Sequence, residues 1–157
     1  MRNILVVFQT TREQTEHLAL AVALGAVQGG ADIRLRHLDP SSSSALTHAE
    51  YGTLREADLL WADGLVVGVE AQSLTEELKQ FTNTVRQLGE QRKLTGKHGW
   101  VFGPREEGGA ESDAVVHLDS VMRAAGVVLL EDPSPSDAAT AANSESMNQM
   151  GHKMAQI

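Results

Sequence analysis

Short apolar runs alternate along the chain with longer stretches in which apolar residues recur at helical spacing. The runs predict five strands, at residues 3–8, 32–38, 64–69, 99–103 and 126–130. The run at 64–69 is apolar throughout, which is typical of a strand buried on both faces, whereas residues 32–38 alternate as an edge strand does. The amphipathic stretches between and after these runs predict five helices, at residues 15–27, 48–60, 74–88, 110–125 and 147–157.

The inward face of each predicted helix follows from this spacing. The expected core positions, helix by helix, are Leu18, Ala21, Val22, Gly25 and Ala26; Leu54, Ala57 and Leu59; Leu74, Leu78, Phe81, Val85 and Leu88; Val115, Leu118, Val121, Met122 and Ala125; and Met147, Met150, Met154 and Ile157. The methionine stripe is a packing stripe rather than a metal or cofactor site.

Regular alternation of strands and helices predicts an α/β fold, with a parallel sheet covered by helices on both faces and right-handed crossovers. Residues 1–157 are expected to form a single domain, because a chain of this length is of ordinary domain size. Ligands of such folds bind at the carboxyl ends of the strands, at the topological switch point. The candidate loops therefore follow the first, third and fourth strands, at residues 9–14, 69–73 and 103–109.

Composition narrows the classes of function. The net charge of -8 argues against nucleic acid as a main partner, since phosphate neutralisation needs a basic surface. The chain has no cysteine, which excludes thiolate chemistry and fits a reducing compartment. No apolar stretch reaches the roughly 20 residues of a membrane span, and the amino-terminal apolar run is too short for a signal peptide. We therefore expect a cytoplasmic protein that does not bind membranes.

Motifs for other chemistries are missing. The six histidines show no metal-ligand spacing, and neither the nucleophile-elbow nor the P-loop nor the dinucleotide-binding glycine pattern occurs. A phospho-acceptor receiver domain would need an acidic pair after the first strand and an aspartate after the third. The sequence offers only Glu13 and Glu70 at these places.

Four stretches in order resemble the flavodoxin-like superfamily, and within it the NAD(P)H:quinone oxidoreductases of the tryptophan-repressor-binding-protein type and the NADPH-dependent FMN reductases. They are ILVVFQTTREQTEHLALAVALGA, LREADLLWADGLVVG, ELKQF, and GKHGWVFGPREEGGAE followed by AAGVVLLE. The resemblance implies a flavodoxin-like three-layer sandwich with strand order 2-1-3-4-5. It further implies bound FMN, hydride transfer from a nicotinamide nucleotide to a quinone-like acceptor or a redox protein, and a homo-oligomer.

The resemblance also implies where the cofactor would bind. The phosphate would contact the first loop and the flavin ring the other two, through Thr10, Thr11, Arg12, Gln14 and Thr15; Val69, Glu70, Ala71 and Gln72; and Gly103, Pro104, Arg105, Gly108 and Gly109. No residue is assigned as catalytic, because a flavin carries the redox chemistry itself.

The candidate loops depart from the family pattern. The family's phosphate loop reads T/S-x-T-G-x-T/S, and here Arg12 and Glu13 stand where it has a hydroxyl and the glycine. Arg12 favours an anion, whereas the carboxylate of Glu13 repels one. Thr15 serves equally well as a plain helix N-cap. The second loop lacks the family's proline and aromatic residue and is shorter by about two residues, and Glu107 replaces the histidine before the glycine pair.

Two hypotheses therefore stand side by side. The first is an FMN-dependent oxidoreductase or electron carrier. The second is a flavodoxin-like domain that has lost flavin, and acts through protein contacts or binds another small anion.

Overall fold

The fold is taken from a computed structural model that describes residues 2–8, 13–37, 55–69, 76–102, 113–130 and 144–156. Strands and helices alternate along this part of the chain. Their order is β1 (Asn3–Phe8), α1 (Glu13–Gln28), β2 (Asp32–His37), α2 (Glu56–Trp61), β3 (Gly64–Gly68), α3 (Glu76–Glu90), β4 (His98–Phe102), α4 (Asp113–Ala124), β5 (Val128–Leu129) and α5 (Ser144–Gln156).

The strands form one parallel sheet in the order β2-β1-β3-β4-β5, as predicted. β1 lies inside the sheet because it pairs with β2 on one side and β3 on the other. In register, Ile4 faces Ile33 and Gly64, and Phe8 faces His37 and Gly68. The α/β class and flavodoxin-like strand order are thus confirmed.

Two hydrophobic layers cover the sheet, because successive side chains of each strand point to opposite faces. One layer joins Leu5 and Val7 to α2, α3 and α4, and the other joins Ile4, Val6 and Phe8 to α1 and α5. The predicted core residues of α3 and α4 are buried, as are Met150 and Met154 of α5.

One predicted core position is wrong. Ala57 was expected to face inward on α2, but it is exposed, and its neighbour Asp58 is buried instead. Asp58 faces inward in place of Ala57 because its carboxylate binds two arginines of β2, as described below. Leu59 is buried as predicted, whereas Leu54, Leu74 and Ile157, and the side chain of Met147, lie outside the described part of the chain.

Helices α1 and α5 approach each other closely enough that only glycine fits at the crossing. A Cβ on Gly25 would lie 1.9 Å from the carbonyl oxygen of Asn148, and one on Gly151 would lie 1.9 Å from that of Val22. This reciprocal contact presses the two backbones together over one face of the sheet. It holds α1 in place above β1.

The last strand is shorter than predicted. β5 covers only Val128–Leu129, because the preceding residues end helix α4. Gly126 has φ +95°, and the N–H of Val127 donates to the carbonyl of Met122 at 3.0 Å. That is the hydrogen bond of a glycine-terminated helix end, so residues 126 and 127 are taken from the sheet ladder.

The same helix-end arrangement recurs after α1 and α3 with different residues. Gly30 (φ +93°) ends α1, and the N–H of Ala31 donates to Ala26 at 3.0 Å. Arg92 (φ 59°) ends α3, and the N–H of Lys93 donates to Leu88 at 2.9 Å. A side chain in this left-handed conformation costs roughly 1–2 kcal/mol, which glycine avoids.

We therefore predict that Arg92→Gly stabilises the protein by about 0.5–1 kcal/mol, measured as the free energy of unfolding in urea. The matched control is Gly30→Ala, whose added Cβ would meet nothing within 4 Å. It should destabilise by about 1 kcal/mol through backbone strain alone. A loss of stability in Arg92→Gly would contradict the left-handed helix end at Arg92.

A second prediction concerns the layer beneath α3. Phe81 is 3% exposed and belongs to the core cluster formed by α3, α4 and the sheet. Phe81→Ala should lower the free energy of unfolding by about 3–5 kcal/mol, since a buried ring leaves a cavity. An unchanged denaturation midpoint would show that α3 docks through another face.

Candidate functional site

The carboxyl ends of β1, β3 and β4 lie side by side at one end of the sheet. Phe8, Gly68 and Phe102 are direct register partners across the three strands. The pairing continues one residue further, since the N–H of Val69 donates to the carbonyl of Phe102 at 2.9 Å. The loops after these strands therefore start from adjacent points.

The topological switch point falls at the same place. From β1 the chain crosses to β2 on one side, and from β2 it returns to β3 on the other side of β1. Helix α1 begins at Glu13, five residues after Phe8, the last residue of β1. The first N–H groups of a helix have no partner within it and carry partial positive charge. A helix that starts at the carboxyl end of a strand in this way is a common place for an anion to bind.

Two buried aromatic rings pack on the α1 face of the sheet near the carboxyl ends of β3 and β4. A Cβ on Gly68 would lie 2.6 Å from Cζ of Phe102, so the Phe102 ring covers the position that a side chain at residue 68 would take. The ring of Trp100 follows behind it, at a centroid distance of 5.4 Å. Both rings are buried, and they close the sheet below the switch point on the α1 side.

Few of the residues predicted to contact the cofactor belong to the described part of the chain. Val69 is buried at the end of β3, and Gln14 and Thr15 lie in the first turn of α1. The structure thus brings the start of α1 and the end of β3 to the same end of the sheet. The others lie outside the described residues: Thr10, Thr11 and Arg12; Glu70, Ala71 and Gln72; Gly103, Pro104, Arg105, Gly108 and Gly109.

A charged cluster that was not predicted from the sequence joins α2 to β2. The carboxylate of Asp58 on α2 is buried, and it accepts from Nη1 of Arg34 at 3.1 Å and from Nε of Arg36 at 3.2 Å. It also accepts from the N–H of Arg55 at 3.0 Å, where α2 begins. The guanidinium of Arg34 stacks over Trp61 at 4.2 Å.

This cluster fastens the edge strand β2 to α2 through charge as well as apolar contact. The alternating arginines of β2 were a sequence signal, because two cations on one face of a strand need an acidic partner when they pack against a helix. Among the described residues, no group of three or more acidic or histidine side chains is placed to hold a metal ion. None of the described helices combines the length and apolar composition needed to cross a bilayer.

Comparison with known proteins confirms the predicted resemblance. The chain is 28% identical over 128 residues to an NAD(P)H dehydrogenase (quinone) of Archaeoglobus fulgidus, covering 71% of this chain and 67% of that protein. It is also 28% identical over 144 residues to NAD(P)H dehydrogenase (quinone) 3 of Rhizobium meliloti, covering 85% and 68%. No protein-family model matches the chain.

Solved structures agree on the fold. A flavodoxin of Streptococcus pneumoniae superposes with a TM-score of 0.69 at 18% identity, covering 98% of both chains. A WrbA-like flavodoxin of Agrobacterium tumefaciens gives 0.65 at 17% identity, covering 99% of this chain and 96% of that one. The chain is a flavodoxin-like α/β protein that resembles the NAD(P)H:quinone oxidoreductases in sequence.

The charged cluster generates a prediction about stability. Asp58→Asn removes the anion between two arginines that are only partly exposed, so we expect a loss of about 1–3 kcal/mol in the free energy of unfolding. Asp119→Asn is the matched control, because Asp119 pairs with Arg123 on the surface of α4. The control should cost less than about 0.5 kcal/mol. Equal losses in the two variants would show that the Asp58 cluster stabilises the fold no more than a surface ion pair does.

Proposed function

We propose that the protein is an FMN-dependent oxidoreductase that passes electrons from a nicotinamide nucleotide to a quinone or similar acceptor. The observation that carries the proposal is the meeting of three strand ends with the start of α1 at the switch point. Two relatives with the name NAD(P)H dehydrogenase (quinone) support the class of reaction.

The position of α1 supports a phosphate site for such a cofactor. The first turn of α1 would offer backbone N–H donors to the phosphate, and the buried Val69 and the covered Gly68 make the neighbouring strand end apolar. In the proposal, Thr10, Thr11, Arg12, Gln14 and Thr15 surround the phosphate.

When bound, the flavin would accept a hydride and give up electrons, so the chain needs to supply placement rather than an acid or a base. In the proposed complex, residues 69–72 and 103–109 lie against the ring and exclude water. The buried rings of Phe102 and Trp100 exclude water from the α1 side of the sheet next to this site.

Glu13 weakens the proposed phosphate site. It is the first residue of α1 and stands where the family has glycine, so its carboxylate is close in sequence to any bound anion. Losing one charge-assisted hydrogen bond costs about 1.5–3 kcal/mol, which is roughly a ten- to hundredfold loss of affinity. We therefore expect FMN binding that is retained but weaker than in a loop with glycine.

The second candidate function is that of a flavin-free domain with the same fold. The observation that favours it is the pair Arg12 and Glu13, which replaces the hydroxyl and the glycine of the phosphate loop. In that case the start of α1 binds a smaller anion or a protein partner.

A titration of the apoprotein with FMN and with riboflavin separates these two functions. FMN should bind more tightly than riboflavin, because only FMN carries the phosphate. Glu13→Gly should widen the difference by roughly tenfold or more, since it removes the repelling charge. If neither flavin binds at high micromolar concentration and Glu13→Gly restores nothing, the flavin-free function replaces the oxidoreductase.

A second experiment tests the location of the site. Gly68→Ala should weaken FMN binding, because the new methyl group displaces the Phe102 ring at the carboxyl end of β3. Gly64→Ala is the matched control. Its Cβ would lie 2.8 Å from Cδ1 of Ile4, an equally tight contact on the same face but at the amino end of the strand. Gly64→Ala should therefore destabilise the fold while leaving the affinity of the folded protein for FMN unchanged.

Equal weakening of FMN binding by both variants would contradict a site at the carboxyl end of β3.

Quinone-dependent oxidation of NADPH by the FMN-loaded protein then tests the reaction itself. A loaded protein that oxidises no nicotinamide nucleotide would reduce the proposal to an electron carrier.

A further inference from the structure

The flank of α1 that points away from α5 is apolar and exposed. Leu20, Leu24 and Val27 recur at helical spacing along it and are 37%, 54% and 49% exposed. On the opposite flank, α1 contacts α5 through Gly25 and Val22. Soluble proteins seldom leave a contiguous apolar row in water without a use for it.

This flank looks outward past the edge of the sheet. α5 lies over the β3 side of α1, since Met154 of α5 would meet a Cβ on Gly64 at 2.9 Å. The other flank of α1 therefore lies over β2, which is the edge strand. Ile33 and Leu35 of β2 are half-buried on this same face of the sheet and extend the apolar row from the helix onto the strand.

The outer edge of β2 has backbone groups to offer. The N–H of Asp32 donates inward to the carbonyl of Arg2 at 2.9 Å, so the alternate residues Ile33 and Leu35 direct their N–H and C=O groups outward. No strand in the described part of the chain pairs with that edge. An edge of this kind pairs readily with another strand unless something blocks it.

Charged side chains often block such an edge, but here they are drawn back onto the subunit. Arg34 and Arg36 both bind Asp58, and Arg34 also stacks on Trp61, so their charged groups lie across α2. The carboxylate of Asp32 is exposed on the same face of the strand.

These features suit a second copy of the same strand. In an antiparallel pair centred on Ile33, each Asp32 stands opposite Arg34 of the other copy, and the two Ile33 side chains meet on the face that carries the α1 row. Arg34 donates to Asp58 through Nη1, which leaves other N–H groups of the guanidinium for the facing carboxylate. Opposite charges and apolar side chains thus match across a twofold axis, as an isologous contact requires.

We infer that the outer edge of β2 and the exposed flank of α1 form a self-association surface, on which two copies of this chain pair their β2 strands in antiparallel orientation. The dimer has a continuous sheet through both subunits and buries Leu20, Leu24 and Val27 against the partner subunit. This inference does not depend on flavin binding, because the surface is set by β2 and the far flank of α1.

Sedimentation equilibrium of the full chain over the micromolar range tests the inference. The wild type should be a dimer, and Val27→Lys and Asp32→Lys should each raise the dimer dissociation constant by about tenfold or more. Val116→Lys is the matched control for the first variant, because Val116 is also a valine that is 49% exposed, on α4 across the sheet. It should leave the dissociation constant unchanged, and circular dichroism should show that all three variants are folded.

Hydrogen exchange gives a readout specific to strand pairing. The amides of Ile33 and Leu35 should exchange more slowly as the protein concentration is raised through the dissociation constant. A wild type that is monomeric throughout, a dimer indifferent to Val27→Lys and Asp32→Lys, or a dimer in which these amides show no added protection would each overturn the inference.

Discussion

The burial of β1 between two parallel neighbours is the constraint on which the rest of the structure depends. Residues 4–8 are nearly inaccessible to solvent, and their backbone pairs with β2 on one side and β3 on the other. A strand in this position forces the chain to cross the sheet in both directions from its end, which creates the switch point. The candidate site is a consequence of that topology.

The position of α1 on the sheet determines what each part of the helix can bind. Close approach at Gly25 and Gly151 binds α1 to α5, while the opposite flank of α1 is left exposed above the edge strand. One end of the helix therefore supplies N–H donors at the switch point, and its outer flank supplies the apolar row of the proposed dimer. The buried Asp58 holds β2, the strand on which a partner would pair, against α2.

Most of the fold followed from the hydrophobic pattern, because buried strands such as 64–69 and helical rows such as Leu78, Phe81 and Val85 have distinct periods. The pattern failed where a specific polar interaction decided the geometry. Asp58 rather than Ala57 faces inward because two arginines on another strand bind it, which no local period shows. β5 is short because Gly126 ends a helix there. At the candidate site, the strand ends could be located from the sequence, but the packing of the Phe102 ring over Gly68 could not, because it depends on register across strands.

We propose that FMN binds where β1, β3 and β4 end. Amide chemical shifts of the isotope-labelled protein, followed by NMR as FMN is added, test it directly. We expect the amides of Phe8, Val69 and Phe102 to shift, together with those in the first turn of α1. The amides of Asn3, Gly64 and His98, at the amino ends of the same strands, should not shift. Shifts confined to the amino ends, or no shift at any strand end at saturating FMN, would contradict it.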